Sequence, residues 1–288
     1  MSGRLIHTGQ VVLDLVMRVP GLPVSGGDLM ASSTALLPGG GFNVMAAAAR
    51  AGADVLYAGL HGGGFGELAR AAMAVEGITL AHAPSAEGDT GIVVALLEDD
   101  GERTFITGTD AGGRMPPGLL DAVTPANRDV VYLTGYSLLD GSNAKVFLEW
   151  LPRTAGATVL FDPGPLVGEI PTDRLTAVLA YVDIVSCSTR EAKILETADV
   201  EVLIVREGPT GCRVVHGGHS VTVPGFPVAA VDTNGAGDAH CGVLAAELLA
   251  GTGLLEAVRR ANGAAAIAVT RQGPATSPTR AELDAFLG

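Results

Sequence analysis

The stretch VDTNGAGDAH, residues 231–240, places two glycines and an aspartate at the start of an apolar helical pattern. Gly235, Ala236 and Gly237 can turn their amide N–H groups toward one point at the N-terminus of that helix, where the helix dipole favours an anion. Asp238, in the first turn, would keep its negative charge and stand beside that anion. In-line phosphoryl transfer to an alcohol requires this pairing, because the carboxylate accepts the hydroxyl proton while the amides stabilise the phosphoryl charge.

Two other glycine-rich stretches, residues 38–44 and 62–68, also precede helical patterns. Neither completes the dinucleotide fingerprint G-x-G-x-x-G, since Val44 and Glu67 stand at its third glycine. Neither lysine of the chain follows a glycine, which excludes a Walker A loop, and no G-x-S-x-G elbow is present. Residues 235–238 therefore remain the best phosphate loop, although an isolated G-x-G-D is also typical of a turn whose aspartate stabilises a helix start.

Composition narrows the function classes further. A net charge of −13 argues against a general nucleic-acid binder, because no basic stripe exists to displace counterions. Three cysteines without a C-x-x-C pair indicate a reduced, cytoplasmic chain. No uninterrupted apolar stretch reaches the length of a membrane span, and the N-terminus lacks the pattern of a signal peptide.

Apolar runs of strand length alternate with helical patterns almost to the end of the chain, as in DVLYAGL followed by FGELARAAMAVEG. Such alternation predicts an α/β fold with a mostly parallel sheet and helices on both faces. No linker is long enough to separate two domains, so residues 1–288 are expected to form one. We expect a strand ending at Val231 to lead into the phosphate loop, and residues 189–198 to be helical.

Two segments break this alternation and predict a small β flap. Residues 28–37 and 90–107 have β character with no helix after them, and the second contains a hairpin turn at Asp100–Gly101. We expect an antiparallel flap, built from residues at about 12–37 and 90–107, that projects from the main sheet.

The stretch VDTNGAGDAHCGVLAAELLAG closely resembles the D-T-x-G-A-G-D signature of the ribokinase-like sugar kinases, the PfkB family. About 190 residues upstream, PGGGFNVMAAAARAG is similar to the glycine–asparagine element that opens that family's first helix. The similarity continues through LFDPGP and the tail ANGAAAIAVTRQGPATSPTRAELDAFL, in order over essentially the whole chain. The resemblance implies a ribokinase-like three-layer α/β sandwich, with helices on both faces of the sheet and a β lid that in many members also pairs two subunits.

The resemblance also implies roles for single residues. Asp238 would be the catalytic base, and Gly235, Ala236 and Gly237 would hold the γ-phosphate of ATP. A sugar would be held by the family's substrate positions, which here are Asp14, Gly39, Gly40, Asn43, Thr90 and Asp238. A carboxylate and an amide can bind vicinal hydroxyls together, and glycines let a sugar ring approach the backbone.

The resemblance further implies contacts to the nucleotide and Mg²⁺ at five positions: Ser188, Glu191, Arg206, Gly208 and Asn262. Glu191 is in register with the glutamate of the family's N-x-x-E element and would hold Mg²⁺ through water, but Ser188 stands where the family has asparagine. The same two residues equally fit a helix capping box. Asn262 would border the adenine, or else be a solvated helix position.

A monovalent cation, K⁺, is implied by a last set of positions that surround such an ion in ribokinase-like members, mostly through backbone carbonyls: Asp232, Asn234, Ala268, Arg271, Gly273 and Ser277. The ion would brace the phosphate loop. His216 and His219, beside a Gly-Gly hairpin, are a weaker candidate for a metal site, and His240 would either touch the substrate or pack in the core.

These features predict an ATP- and Mg²⁺-dependent kinase that phosphorylates a primary hydroxyl of a small neutral sugar and forms a homodimer through its β lid. No basic cluster is evident, although Arg18, Arg103 or Arg114 could reach the pocket. One alternative is a nucleoside kinase of the same family, which stacking of Phe42 on a base would favour. Another is a non-catalytic sugar- or nucleotide-binding regulator. Neither a nucleic acid nor a membrane is expected as a partner.

Overall fold

The computed structural model describes residues 3–99, 102–108, 114–195 and 200–288. Its main sheet has nine strands: β1 (Arg4–His7), β4 (Asp54–Tyr57), β5 (Thr79–Leu80), β8 (Val130–Thr134), β9 (Thr158–Asp162), β10 (Ile184–Ser188), β11 (Val202–Arg206), β12 (Gly211–His216) and β13 (His219–Pro224). They lie in the order β13-β12-β11-β10-β9-β8-β1-β4-β5. Every neighbouring pair from β11 to β5 is parallel, whereas β12 and β13 pair antiparallel at one edge.

Helices cover both faces of this sheet, which confirms the predicted fold class. The α-helices are α1 (Gly41–Arg50), α2 (Gly66–Val75), α3 (Gly141–Trp150), α4 (Thr172–Leu179), α5 (Thr189–Ala192), α6 (Ala236–Leu249), α7 (Leu254–Ala268) and α8 (Arg280–Leu287). Short 3₁₀ turns include Leu119–Ala122, Gly135–Leu138, Leu151–Thr154, Val167–Glu169 and Gly208–Thr210.

Successive residues of the buried strands alternate between two hydrophobic cores. Leu5 and Val130 join the core that contains α1, α2, α6 and α7. Ile6 and Val131 join the opposite core, which contains α3 and α4. A strand that is apolar on both faces is typical of a parallel sheet between two helical layers, and this explains the continuous apolar runs of the sequence.

A second sheet of four strands forms the predicted flap, here called the lid sheet. Its strands are β2 (Val11–Val19), β3 (Ser33–Gly40), β6 (Gly91–Glu98) and β7 (Arg103–Gly108), in the order β3-β2-β6-β7. The flap is not wholly antiparallel, because β2 and β6 run parallel. The predicted turn at residues 100–101 lies outside the described residues.

Strand β3 begins and ends later than expected. It spans residues 33–40 rather than 28–37, and it includes Pro38 and two glycines. Proline is tolerated because β3 is an edge strand, where a missing N–H breaks no internal ladder. The strand thereby carries Gly39 and Gly40 directly to the start of α1.

Two other element predictions are wrong. No strand ends at Val231; its side chain is exposed, and the amides of Val231 and Asp232 bond to the carbonyl of Val269 at the end of α7. The helix expected over residues 189–198 is α5, which ends at Ala192, and residues 196–199 lie outside the described part.

Among the described residues, no helix combines the length and apolar character that a membrane crossing requires.

Candidate active site

The N-terminus of α6 has the geometry of an anion site. Gly235 precedes the helix with a φ of 75°, in the left-handed region that favours glycine. A side chain there would also overlap the carbonyl of Pro274. No acceptor in the described chain bonds to the amides of Gly237 and Asp238, as expected of first-turn amides. The fourteen-residue helix adds its dipole at this point.

Asp238 stands in the first turn of α6, half-buried, with its carboxylate held by a neighbouring element. Its Oδ2 accepts a hydrogen bond from Nδ2 of Asn43 on α1 at 2.9 Å. The pKa of Asp238 is raised to about 6, chiefly by burial and also by the charge of Asp162, against the Asn43 hydrogen bond and Arg206, which act to lower it. A carboxylate with this pKa is mostly ionised at neutral pH and can accept a proton.

The predicted sugar positions other than Thr90 come together beside Asp238. Asp14 on β2 is buried, and a side chain on Gly39 of β3 would collide with its carboxylate. Gly40, with a φ of 59°, turns the chain into α1, which carries Asn43. Burial first, and then the charge of Asp238, raise the pKa of Asp14 to about 6. The two carboxylates therefore face a common space.

Asn43 has an unused acceptor in this space. Its Nδ2 donates to Asp238, but its buried Oδ1 has no hydrogen-bond partner among the described residues. A buried polar atom without a partner is costly unless a ligand or water satisfies it. A hydroxyl group is a suitable donor for it, because carboxylates and amide oxygens both accept from hydroxyls.

Thr90 lies at the base of the lid sheet, immediately before β6. It is buried, and its Oγ1 accepts from the amide of Gly62 at 3.0 Å. The neighbouring carboxylate of Asp89 accepts from the amides of Phe65 and Gly66. Thr90 thus anchors the lid sheet to the glycine-rich loop before α2, and its contact with a substrate stays a prediction.

A charged cluster beside the anion site was not predicted in full. Asp162 ends β9, and its Oδ2 lies 2.9 Å from Nη1 of Arg206, which ends β11. Nη2 of Arg206 lies 3.7 Å from Oε2 of Glu191 and faces Gly237. These side chains meet because the carboxyl ends of the parallel strands β9, β10 and β11 share one edge of the sheet. Asp162 could have been identified from its position as the last residue of the apolar run ATVLFD.

Ser188 and Glu191 form the capping box that the sequence left as an alternative. The amide of Ser188 donates to Oε2 of Glu191 at 2.6 Å, and the amide of Glu191 donates to the Ser188 hydroxyl at 3.3 Å. Mg²⁺ prefers one or two carboxylates together with phosphate oxygens and water. Glu191 and Asp162, both beside the anion site, fit that donor set.

The remaining nucleotide positions have mixed surroundings. Gly208, with a φ of 63°, is exposed just beyond Arg206. Asn262 is not a solvated position: its Nδ2 donates to the carbonyls of Val223 and Pro224, and its Oδ1 accepts from Cys212. Its side chain therefore ties α7 to the end of β13, and contact with adenine stays a prediction.

Four side chains that the sequence left as candidates lie away from this space. Phe42 is buried in the core beneath α1, so stacking of Phe42 on a base is wrong. His240 is also buried, with Nε2 3.3 Å from Sγ of Cys212, and packs in the core. His216 and His219 pair across an exposed hairpin, and no group of three potential metal ligands occurs in the described part of the chain.

The positions implied for K⁺ fit that ion only in part. The carboxylate of Asp232 is already bonded to several N–H groups, including Nη2 of Arg103. The carbonyls of Ala268 and Gly273 both accept from Thr276, and Arg271 pairs with Glu282. The hydroxyl of Ser277, in contrast, is buried without a partner among the described residues. The anionic ligand of the set is therefore unavailable.

A parallel sheet between helical layers, a lid sheet and a carboxylate at a helix N-terminus together define a phosphotransferase of the sugar-kinase class. Residues 3–281 match the model of the pfkB family carbohydrate kinases, and the chain belongs to that family. It is an ATP-dependent carbohydrate kinase with the ribokinase-like fold.

Relatives of known sequence or structure cover nearly the whole chain. An uncharacterised sugar kinase of Escherichia coli, YegV, is 31% identical over 98% of both chains. An ATP-dependent ribose-1-phosphate kinase of Halopiger xanaduensis is 31% identical over 99% of this chain and 98% of the relative. The ribokinase structure from Thermotoga maritima superposes with a TM-score of 0.84 at 25% identity, covering 99% of both chains.

Proposed function

We propose that the enzyme transfers the γ-phosphoryl group of ATP to a primary hydroxyl of a small neutral sugar, with Asp238 as the general base. One observation carries the proposal. The half-buried carboxylate of Asp238 stands in the first turn of α6, where the amides of Gly237 and Asp238 have no acceptor in the described chain. It also bonds to Asn43, whose Oδ1 has no partner among the described residues. An anion site and a hydroxyl site therefore share one carboxylate.

In the proposed reaction, Asp238 accepts the proton of the sugar hydroxyl as its oxygen attacks the γ-phosphorus. The bond from that phosphorus to the bridging oxygen breaks, and ADP leaves with the electron pair. The amides at 235–237 and the guanidinium of Arg206 stabilise the charge on the transferred group. Mg²⁺, held through Glu191 and Asp162, would neutralise phosphate charge when bound.

The sugar site contributes acceptors rather than cations. Asp14, Asp238 and the Oδ1 of Asn43, which has no partner in the described part of the chain, can all accept hydrogen bonds, and this suits a polyol and repels a phosphate. Of the arginines considered for the pocket, Arg103 is paired with Asp232. A neutral sugar therefore fits the site better than a phosphorylated one.

A phosphorylated acceptor is nonetheless the second candidate, because the Halopiger relative is named for ribose 1-phosphate. A nucleoside acceptor has lost its support with the burial of Phe42. A panel of ribose, fructose, ketodeoxygluconate, adenosine and ribose 1-phosphate, assayed for acceptor-dependent ADP release, separates these classes. A kcat/KM for ribose 1-phosphate above every neutral sugar would overturn the proposed substrate.

The Asp238→Asn substitution tests the base. We expect kcat to fall by about 10²- to 10⁴-fold, because the amide cannot accept the hydroxyl proton. ATP binding, measured by calorimetry, should change little, since the 235–237 amides remain. Asp173→Asn, at an exposed carboxylate in the first turn of α4, is the matched control and should leave both quantities unchanged. Near-normal turnover by Asp238→Asn would contradict the assigned role.

A further inference from the structure

The carboxylate of Asp232 is buried and fully bonded. Oδ1 accepts from Nη2 of Arg103 at 2.5 Å and from the amide of Asn234 at 2.8 Å. Oδ2 accepts from Nε2 of Gln272 at 2.9 Å and from the amide of Gly273 at 3.0 Å. A carboxylate offers about four acceptor sites, so these donors leave no lone pair for a metal ion.

Arg103 supplies the positive charge in this group of donors. The side chain of Asp232 is 5% exposed and that of Arg103 is 23% exposed, so the pair is largely shielded from water. The other donors are neutral amides. A buried carboxylate needs a counter-charge to remain ionised at low cost, and among the described residues Arg103 is the cation bonded to it.

The Asp232 carboxylate holds together three segments that are distant in the sequence. Arg103 belongs to lid strand β7, 129 residues before Asp232. The bond to Asn234 shapes the chain just before Gly235, and the bond to Gly273 holds the loop whose Pro274 carbonyl packs against Gly235. The lid sheet is thus tied through one carboxylate to both sides of the phosphate loop.

This arrangement disagrees with a cation held by Asp232. An ion at that position would have to displace the Arg103 guanidinium, or else bind neutral oxygens beside a fixed positive charge. Like charges repel strongly where water is largely excluded. The arginine and the ion are therefore alternatives at the same carboxylate.

We infer that Arg103 is a positioning residue for the phosphate loop, a guanidinium from the lid sheet that occupies the place of a monovalent cation. It neutralises Asp232, keeps the 232–235 turn in the shape that aims its amides, and makes the order of that turn depend on the position of the lid sheet. The inference rests on the proposed anion-binding role of the 235–237 amides.

Steady-state kinetics of Arg103→Met, compared in KCl, NaCl and tetramethylammonium chloride at equal ionic strength, test the inference. Methionine keeps much of the side-chain volume and removes the charge. We expect kcat to fall on the order of a hundredfold in tetramethylammonium, the typical cost of a small misplacement of catalytic groups, with a smaller change in KM for ATP. In KCl, kcat of Arg103→Met should be at least tenfold higher than in tetramethylammonium chloride. The wild-type kcat should be the same in the three salts.

A second readout does not depend on turnover. The melting temperature of Arg103→Met should rise with KCl relative to tetramethylammonium chloride, while that of the wild type should not. Arg103→Lys should retain most of kcat and show no KCl response. In the double variant Arg103→Met/Asp232→Asn the KCl response should disappear, because the charge that attracts the ion is gone.

Arg153→Met is the matched control, since Arg153 pairs with Asp121 at 3.0 Å on the exposed surface; it should change neither kcat nor the salt response. Tenfold or greater activation of the wild type by K⁺ would overturn the inference. So would a loss of stability in Arg103→Met without a change in kcat per folded molecule. If Asp238→Asn retains full activity, the proposed loop function fails, yet the melting-temperature comparison still decides whether Arg103 excludes the ion.

Discussion

The surroundings of Asp238 shift its pKa in opposite directions, and the resulting pKa sets the pH at which the enzyme becomes active. Burial and the Asp162 charge raise its pKa to about 6, against the Asn43 hydrogen bond and Arg206. The proposed base must be ionised to accept a proton, so kcat/KM for the sugar should rise with pH through about 6 and level off above it. A kcat/KM profile between about pH 5 and about pH 9 provides the measurement, because this quantity reports the ionisation of the free enzyme.

Asn43→Ala offers a check on that assignment, because it removes a bond that stabilises the ionised carboxylate. The acidic limb of the profile should move to higher pH, while Asp173→Asn should leave it in place. A limb that stays where it was in Asn43→Ala would assign the ionisation to another group.

Ionisation of Asp14 should lower the free energy of unfolding as the pH rises, and the Asp14→Asn variant should lack this loss. The pKa of Asp14 is raised from 3.8 to about 6, so the folded state binds its proton more tightly than the unfolded state. That contribution is fully present below pH 3.8 and is lost as the pH rises through about 6. Relative to the wild type, Asp14→Asn should gain about 1 kcal/mol in the free energy of unfolding between about pH 5 and about pH 8.

Urea unfolding at these two pH values measures the difference, and Asp173→Asn should show none. A wild type that gains as much stability as Asp14→Asn over this range would contradict the raised pKa. The same substitution should weaken sugar binding, since a hydroxyl acceptor loses its charge. The site thus places two carboxylates near each other at a cost to stability, as functional sites often do.

At the scale of elements, the start of α6 depends on the backbone of Gly235. Gly235→Ala would force a non-glycine residue into a φ of 75° and push its Cβ against the Pro274 carbonyl. We expect kcat to fall on the order of a hundredfold, because the 235–237 amides move relative to Asp238. Gly251→Ala, at the other end of α6, is the matched control: its φ is 79°, but nothing lies near its Cβ position.

Both substitutions should lower the melting temperature, since each places alanine at a positive φ. Only Gly235→Ala should lower kcat per folded molecule. Equal kcat values for the two variants would show that the turn tolerates movement and does not aim the amides.

Periodicity was sufficient to predict the elements inside the two cores but not those at the edges. Strands such as β8 and β9 are apolar on both faces, so their sequences alone indicate a buried parallel sheet. Residues 226–231 are also largely apolar, yet they pair with none of the described strands, and the amide of Val231 bonds to Val269 at the end of α7. Strand β3 was displaced because Gly39 and Gly40 pair with β2, a role that single-sequence patterns assign to loops.

The candidate site shows a similar division. Asp14, Asn43 and Asp238 come together as the sequence motifs predicted. The pairs of Asp162 with Arg206 and of Arg103 with Asp232 were not predicted, because they join side chains 44 and 129 residues apart. Such partners depend on how the sheet edge and the lid sheet are placed in space, and a single sequence does not encode that placement in a readable pattern.

At the scale of the whole molecule, the lid sheet has two different faces. Asp14 is in register with Leu37 and Val93, and its carboxylate faces the candidate active site. The adjacent row points to the opposite face and is apolar across all four strands, with Leu36, Leu15, Val94 and Ile106 in register. An exposed apolar sheet face is a typical site of protein association.

We propose that a second copy of the chain covers this face, which gives the homodimer that the sequence suggested. Leu36 is 37% exposed and Ile106 is 62% exposed, at opposite edges of the row. Leu36→Glu/Ile106→Glu should shift the protein from dimer to monomer, because two carboxylates would be buried without partners on each side. Sedimentation equilibrium at about 1 to 50 µM, a range that resolves typical dimer affinities, measures the change.

Monomers should also bind sugar less well. A lid sheet without its partner has fewer contacts to keep it in place, and its opposite face carries Asp14, a proposed sugar ligand. The KM for the sugar should rise while the KM for ATP, whose proposed contacts lie on the main sheet and α6, stays close to that of the wild type. Val75→Glu, at an 86% exposed position on α2, is the control and should remain dimeric. A wild type that stays monomeric throughout the concentration range would contradict the proposed dimer. A double variant that stays dimeric would show that the dimer interface lies on another surface.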